Sequence, residues 1–366
     1  MSERFTVTYH VRGTAANIEA RAQGIAVEQS VEMPLAAIRN EMVLSEIVGS
    51  VESIDDLGNG VFAVGIGLAT ATVGQDAGQF LNMVFGNTSL HDDVILKDVA
   101  VPQTLTQLFG GPRHGISELR FRLKLPERAL TGSALKPQGL PSEDLAILAE
   151  HLTRGGLDFI KDDHGLADQQ YSRFSERVSA CAAAVTRGVR STGHPTRYIP
   201  SLTGNLDQMR AQAAVARDEG LDCVMLAPMV CGFSTMQALV CEFPEMAFFA
   251  HPSMAGAVRI APELLIGKLF PLMGADSVIF PGYGGRFGYS RETCRDLAAN
   301  ARHPYSGLKS ALPVPAGGMT LERTKEIIDF YGKDTMLLIG GNLLLAREDI
   351  TKETERFTRA VGDFSL

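Results

Sequence analysis

Residues 157–164, Leu157-Asp158-Phe159-Ile160-Lys161-Asp162-Asp163-His164, decide the fold. A short apolar run, too brief for a helix, stops abruptly at four titratable side chains, as a buried strand does when it delivers polar groups to a rim. Leu130 to Lys136 precedes it. Arg197 to Leu202, Cys223 to Ala227, Met246 to His251, Ser277 to Phe280, Leu312 to Pro315 and Thr335 to Ile339 follow, so the pattern recurs eight times. Amphipathic stretches lie between the runs: one opened by Ser142-Glu143-Asp144, read as a capping signal, then Asn205 to Glu219 with an Asn cap, and Leu321 to Tyr331. Eight βα repeats closing on themselves predict a TIM (β/α)8 barrel of about 250 residues, placed here over residues 126–366. The rival architecture, a doubly wound sheet, lacks its phosphate fingerprint. Gly58-Asn59-Gly60-Val61-Phe62-Ala63 spells GxGxxA but falls in a hairpin rather than between strand and helix.

Residues 1–125 read differently. Phe5 to Val11 alternates as a strand, Ile18 to Glu28 is helical, Gly49 to Ala71 is a hairpin turning at Gly58-Asn59-Gly60, Gln75 to Phe85 is a second helix, and Asp93 to Val101 returns as a strand. That order predicts an α+β unit, an antiparallel sheet covered by helices.

Composition narrows the function. With 366 residues, 45% hydrophobic and 21% charged, the chain can bury a large core. A net charge of -8 with no clustered Lys/Arg face opposes nucleic-acid binding. No stretch approaches the ~20 apolar residues that span a bilayer, and the first residues carry no signal-peptide pattern, so a cytoplasmic protein without membrane contact is expected. The five cysteines are odd in number and include no CxxC pair. They are expected to be reduced packing residues.

In a barrel, polar residues at the C-terminal strand ends are the catalytic candidates. Those ends read Lys136-Pro137-Gln138, Lys161-Asp162-Asp163-His164, Ser201-Leu202-Thr203-Gly204-Asn205, His251, Ala316-Gly317-Gly318 and Gly340-Gly341-Asn342. Lys161, Asp163 and His164 offer an amine, a carboxylate and an imidazole to a hard cation or a phosphorylated substrate. Mg²⁺ prefers oxygen, so Lys161 would join such a shell only as a CO₂-derived carbamate. The plainer reading is a strand end with solvated charges. Gly317-Gly318 and Gly340-Gly341 follow strands seven and eight, where barrels build phosphate sites from backbone N–H groups, although Gly pairs also serve as simple turns. His251 is either a rim catalyst or a satisfied structural histidine. Lys136, on an apolar strand, is either a desolvated proton-transfer lysine or a snorkelling one.

These strand ends, in this order, resemble the RuBisCO large-subunit superfamily. Phe109-Gly110-Gly111-Pro112-Arg113-His114-Gly115-Ile116 is similar to the family's entry segment, Gly132-Ser133-Ala134-Leu135-Lys136-Pro137 to its strand-one motif, and Gly155-Gly156-Leu157-Asp158-Phe159-Ile160-Lys161-Asp162-Asp163 to its metal-binding motif. The resemblance implies a ferredoxin-like N-terminal domain before the barrel. It also implies Mg²⁺ held by a carbamylated Lys161 with Asp163, Lys136 as a proton-transfer lysine, His251 as the strand-five histidine, and substrate phosphate on Gly317, Gly318, Gly340 and Gly341. Members pair as homodimers with shared active sites, and Glu28 loosely resembles the glutamate contributed to the partner's site.

Departures from the carboxylase pattern redirect the function. His164 stands where a glutamate ligand is expected, Gln138 replaces the second lysine of the strand-one motif, and Pro281-Gly282-Tyr283-Gly284-Gly285-Arg286-Phe287 carries no lysine, with Arg286 its nearest substitute. Ala316 replaces a serine, and Met83 an asparagine, with Asn82 one place away. The sequence therefore resembles a RuBisCO-like protein (form IV) rather than a carboxylase. The expected chemistry is metal-assisted enolisation and 1,3-proton transfer on a phosphorylated ketose, 5-methylthioribulose 1-phosphate of methionine salvage above others, with Lys136 or modified Lys161 as base. Decarboxylation of a phosphorylated 3-oxo sugar acid, of the 3-oxo-isoapionate 4-phosphate type, is the rival. A 2,3-diketo-5-methylthiopentyl-1-phosphate enolase is disfavoured because no lysine stands near Val84-Phe85-Gly86. A catalytically decayed binding protein is the non-enzymatic alternative, and retention of Lys136, Lys161 and Asp163 opposes it.

Overall fold

The computed structural model describes residues 3–125 and 128–365. Strands Arg4–Arg12 (β1), Ser50–Asp56 (β2), Val61–Ala69 (β3) and Val94–Ala100 (β4) form an antiparallel sheet in the order β2-β3-β1-β4. With helices Ile18–Glu28 and Ala77–Phe85 as connections, this is the βαββαβ ferredoxin-like arrangement. Period-two burial drives it: Phe5, Val7, Tyr9 and Val11 of β1 all face the helices and are buried. Tyr9 donates its hydroxyl to the carbonyl of Val84 at 2.6 Å, tying the sheet to the second helix. That helix starts later than Gln75, because the Asp76 carboxylate caps it by accepting from the backbone N–H of Gln79 at 2.7 Å. The hairpin turns where expected, with Gly58, Asn59 and Gly60 all left-handed.

The second sheet contains Leu130–Leu135 (β5), Phe159–Asp162 (β6), Arg197–Ile199 (β7), Cys223–Leu226 (β8), Ala247–Ala250 (β9), Ser277–Pro281 (β10), Leu312–Ala316 (β11) and Met336–Leu338 (β12). Its order is β7-β6-β5-β12-β11-β10-β9-β8, and every observed pairing is parallel. Beyond the end of β7, Ser201 bridges Met225 of β8 and closes the ring, through Leu202 N–H to Met225 O at 2.7 Å and Met225 N–H to Pro200 O at 2.9 Å. All eight expected strands are present, and helices between them cover the outside. Ser142 does not cap its helix as expected. Pro141 occupies the cap position, and the Ser142 hydroxyl lies 3.1 Å from that of Ser172 instead.

The barrel interior is a packed core. Leu130, Phe159, Ile199, Met225, Phe249, Ile279, Val314 and Leu338 fill it, as side-chain layers do in this fold. Ile116, Leu119 and Leu123 of helix Gly115–Leu123 join the same cluster, so that helix stoppers the N-terminal end of the barrel. The expected boundary between residues 125 and 126 falls beside residues 126–127, which lie outside the described residues. The two domains meet where Leu96 bridges Ile260 and Lys268 pairs with Asp98 at 2.7 Å.

Among the described residues no helix is long and apolar enough to cross a membrane. All five cysteines are free. Cys181, Cys223 and Cys294 are buried as expected of packing residues, whereas Cys231 is half-buried and Cys241 is exposed, so the packing role does not extend to all five.

Candidate active site

Strand alternation sorts the rim residues. On β6 Phe159 points into the barrel, so Lys161 and then Asp163 continue inward above it. On β9 Phe249 points inward, so His251 does the same. The Phe159 and Phe249 rings lie 5.4 Å apart and floor the site. Lys136, six residues beyond inward-facing Leu130, reaches the same space from β5.

The sequence-predicted cluster is assembled there. The Lys136 ammonium lies 2.6 Å from Asp163 Oδ1, and His164 Nδ1 lies 3.4 Å from the same oxygen. The His164 imidazole stacks on that of His251 with centroids 4.4 Å apart and planes 9° from parallel. β6 and β9 are not neighbours in the sheet, so this contact spans the mouth. His251 Nδ1 accepts from the backbone N–H of Ser253 at 3.2 Å, which assigns the ring hydrogen to Nε2 and makes that atom a donor. Lys161 is buried and donates to the carbonyl of Asp162 at 2.7 Å.

Burial governs the electrostatics. It brings the Lys161 ammonium from an ordinary 10.5 down to about 8, with Lys136 repelling it further while Asp163 and Asp162 oppose the shift. Burial also pushes His251 far below the usual histidine range, reinforced by the positive charge of Lys161 and by His164. For Asp163 burial acts upward, but His164, Lys136 and Lys161 overcome it and hold the carboxyl well below its usual range. Of the two readings of Lys136, burial on the apolar strand is not what is seen: its side chain is 36% exposed and ion-paired with Asp163.

Asp162 belongs elsewhere. The same alternation turns it outward, where it accepts from Tyr198 Oη at 2.7 Å, Arg177 Nε at 3.1 Å and the backbone N–H of Ser201 at 3.1 Å. It is a structural carboxylate holding β6, β7 and helix Phe174–Thr192 together.

The glycine pairs follow the adjacent strands β11 and β12. Gly317 and Gly318 have φ of 80° and 84°, a run that only glycine adopts without strain. Gly340 precedes the short helix Gly341–Leu344, and a Cβ at either Gly340 or Gly341 would meet open space. Asn342 donates to Met319 O at 2.9 Å and ties the two loops together. The loop after β10 lies directly on them. A Cβ on Gly285 would fall 2.0 Å from Gly317 O, one on Gly318 would fall 2.7 Å from Gly285 Cα, and Phe287 lies 3.6 Å from the Cβ position of Gly317. A cavity of 220 Å³ behind these loops is lined partly by Glu322 and Glu353, the wrong charge for a phosphate. Glu28 is not brought to this mouth within the chain. It accepts from Asn87 Nδ2 at 2.9 Å, inside the N-terminal domain.

The model of the ribulose bisphosphate carboxylase large chain catalytic domain matches residues 115–344, beginning at the stopper helix and ending with the β12 loop. The chain belongs to the RuBisCO large-chain family. It is 57% identical over 363 residues to the 5-methylthioribulose-1-phosphate isomerase of Rhodospirillum rubrum, spanning 99% of this chain and 97% of that protein. It is 32% identical to the 2,3-diketo-5-methylthiopentyl-1-phosphate enolase of Geobacillus kaustophilus, spanning 89% of this chain and 84% of that one. The crystal structure of a RuBisCO-like protein from Rhodopseudomonas palustris superposes with a TM-score of 0.94 at 46% identity over 100% of this chain and 99% of that chain. This chain is accordingly a RuBisCO-like protein and not a genuine carboxylase. The octameric RuBisCO of Pyrococcus horikoshii, at 23% identity and a TM-score of 0.92 over 99% of this chain and 88% of that chain, shares the fold.

Sequence reasoning on this RuBisCO-like protein missed three features: the outward role of Asp162, the stacking of His164 on His251, and the contact of the β10 loop with Gly317 and Gly318. Parity along β6 was a usable signal for the first. The other two join segments far apart in the chain and have no local signature.

Proposed function

We propose that this RuBisCO-like protein is an enzyme of methionine salvage that moves protons on a phosphorylated ketose, isomerising 5-methylthioribulose 1-phosphate. The observation that carries the reading is the buried Lys161, its proton affinity lowered to near pH 8, beside the Lys136–Asp163 pair and across the mouth from His251. A base poised near the working pH transfers protons best. The 57% identity to a protein bearing the isomerase name supports the choice of substrate.

The donor set fits a divalent cation. Asp163 supplies an ionised carboxylate, His164 a ring nitrogen close beside it, and Lys161 an amine with the lowered proton affinity that carbamate formation with CO₂ requires. Mg²⁺ held by Asp163 and His164, joined by Lys161 only where that residue is carbamylated, would supply a Lewis acid for the developing enolate oxygen. The protein's own groups do the rest. The Lys161 amine takes the proton from the carbon beside the ketone, the Lys136 ammonium returns one to the product, His251 Nε2–H donates to substrate oxygen, and the backbone N–H groups of Gly317, Gly318, Gly340 and Gly341 hold the phosphate.

The working unit in this reading is a homodimer. Met33, Leu35, Met42 and Leu44 are exposed within residues 31–48, next to Glu28, and a second copy that covers this apolar stretch would receive Glu28 at its mouth.

The test is incubation of the purified protein with 5-methylthioribulose 1-phosphate in D₂O. Solvent deuterium in an isomeric product supports the reading. No turnover of this ketose, with CO₂ released from a phosphorylated 3-oxo acid, replaces it with decarboxylation, and conversion of the diketone phosphate replaces it with the enolase.

A further inference from the structure

We infer that Gln138 is a substrate-contact residue whose carboxamide hydrogen-bonds a sugar oxygen, and that the missing side chain at Gly165 leaves the room in which it lies. The inference rests on the isomerase reading for its substrate and on independent geometry for its residue. The chain ends of β5 and β6 approach each other in step. Lys136 meets Asp163, and two residues further along both segments Gln138 meets Gly165. A Cβ built on Gly165 would lie 1.5 Å from Gln138 Nε2 and 2.6 Å from its Cδ, so the amide occupies the volume that any other side chain at 165 would fill. Backbone conformation does not demand glycine there, since Gly165 is not among the residues with positive φ. A side chain at 165 would push the Gln138 amide out of this position.

The amide is available for a ligand. Gln138 is exposed, and among the described residues its side chain has no protein hydrogen-bond partner. Asp163, two residues before Gly165, is paired with Lys136, two residues before Gln138. An unoccupied amide lying against the residue that follows His164 can donate to a hydroxyl or keto oxygen without adding charge.

A double-mutant cycle tests this, with Gln138→Ala, Gly165→Ala and the double variant compared with the wild type. Two quantities are read: kcat/KM on 5-methylthioribulose 1-phosphate, and calorimetric affinity for the unreactive alcohol 5-methylthioribitol 1-phosphate. Loss of one hydrogen bond predicts a fall of about tenfold for each single variant. Melting temperatures should stay unchanged, because Gln138 is exposed and can swing away from a new methyl group. The double variant should be no worse than either single one, since both changes remove the same contact. Wild-type affinity and turnover in Gln138→Ala, or a full further loss from Gly165→Ala in the Gln138→Ala background, would overturn the inference. If the wild type fails to turn over this ketose yet the variants bind the alcohol more weakly than it does, the isomerase reading falls and the Gln138 contact stands. Equal affinity of all four proteins removes the contact whatever the reaction.

Discussion

Asp163 Oδ1 is shared between the Lys136 ammonium, 2.6 Å away, and His164 Nδ1, 3.4 Å away. One carboxylate oxygen therefore couples the end of β5 to the loop that reaches across to His251. Removing the ammonium in Lys136→Met should lower kcat by ~10²–10⁴-fold, the range for a positioned proton-transfer group. Stability should change by less than ~1 kcal/mol, because the pair is partly solvated. Steady-state kinetics and urea unfolding of the same preparation measure both, and near-normal kcat would remove Lys136 from the mechanism.

The adjacent aspartates should separate function from folding. Asp162→Ala strands the fully buried Arg177 and should cost ~3–5 kcal/mol of stability. Asp163→Ala should abolish turnover while costing far less. Denaturant midpoints and activity for the two variants make the comparison, and equal destabilisation would contradict the assignment of outward and inward roles.

Lys161 sets a pH dependence whose sign follows from its depressed pKa. Below about pH 8 the amine is protonated in both folded and unfolded chains, and the folded state bears the burial penalty. Between about 8 and the ordinary 10.5 the unfolded chain binds more protons, so this group's contribution makes stability rise with pH. Lys161→Met should erase that slope in unfolding free energy. Proton abstraction by the free amine should increase through about pH 8, and a rate profile flat from pH 7 to 9 would exclude it as base.

His251 should stay neutral throughout the physiological range, because burial beside Lys161 and His164 disfavours its cation. Ring ¹⁵N shifts recorded from pH 5 to 8 should show Nε2 protonated and no titration for this residue. A midpoint near 6.5 would place the ring in water instead.

Gly318→Ala places a methyl group 2.7 Å from Gly285 Cα at a residue with φ of 84°. The strain should cost ~1–3 kcal/mol, and the β10 loop should lift from its neighbour. KM for the phosphorylated substrate should rise at least tenfold, and inhibition by inorganic phosphate should weaken in parallel. Unchanged phosphate inhibition would remove these glycines from the phosphate site.

The barrel could be read from the sequence because each strand is a short apolar run ended by polar residues, and because inward positions recur every second residue. Lys136, Lys161, Asp163 and His251 fall into one space for that reason alone. Ser142 misled because serine before an acidic pair is a cap signal that an adjacent proline pre-empts. Gly165 gave no signal, since its neighbour Gln138 comes from another loop, and the Gly317-Gly318 pair signalled a turn or phosphate site but not its contact with Gly285.

The stopper helix has a kinetic consequence. Ile116, Leu119 and Leu123 seal the far end of the barrel, and Phe159 and Phe249 form the floor beneath Lys161. With these side chains packed beneath it, the buried amine meets solvent from the side of the opening that admits the substrate. While a ketose sits in that opening, a hydrogen lifted onto the amine mixes with the two solvent-derived hydrogens already there, so part of the substrate hydrogen returns and isotope washout per turnover should fall short of one.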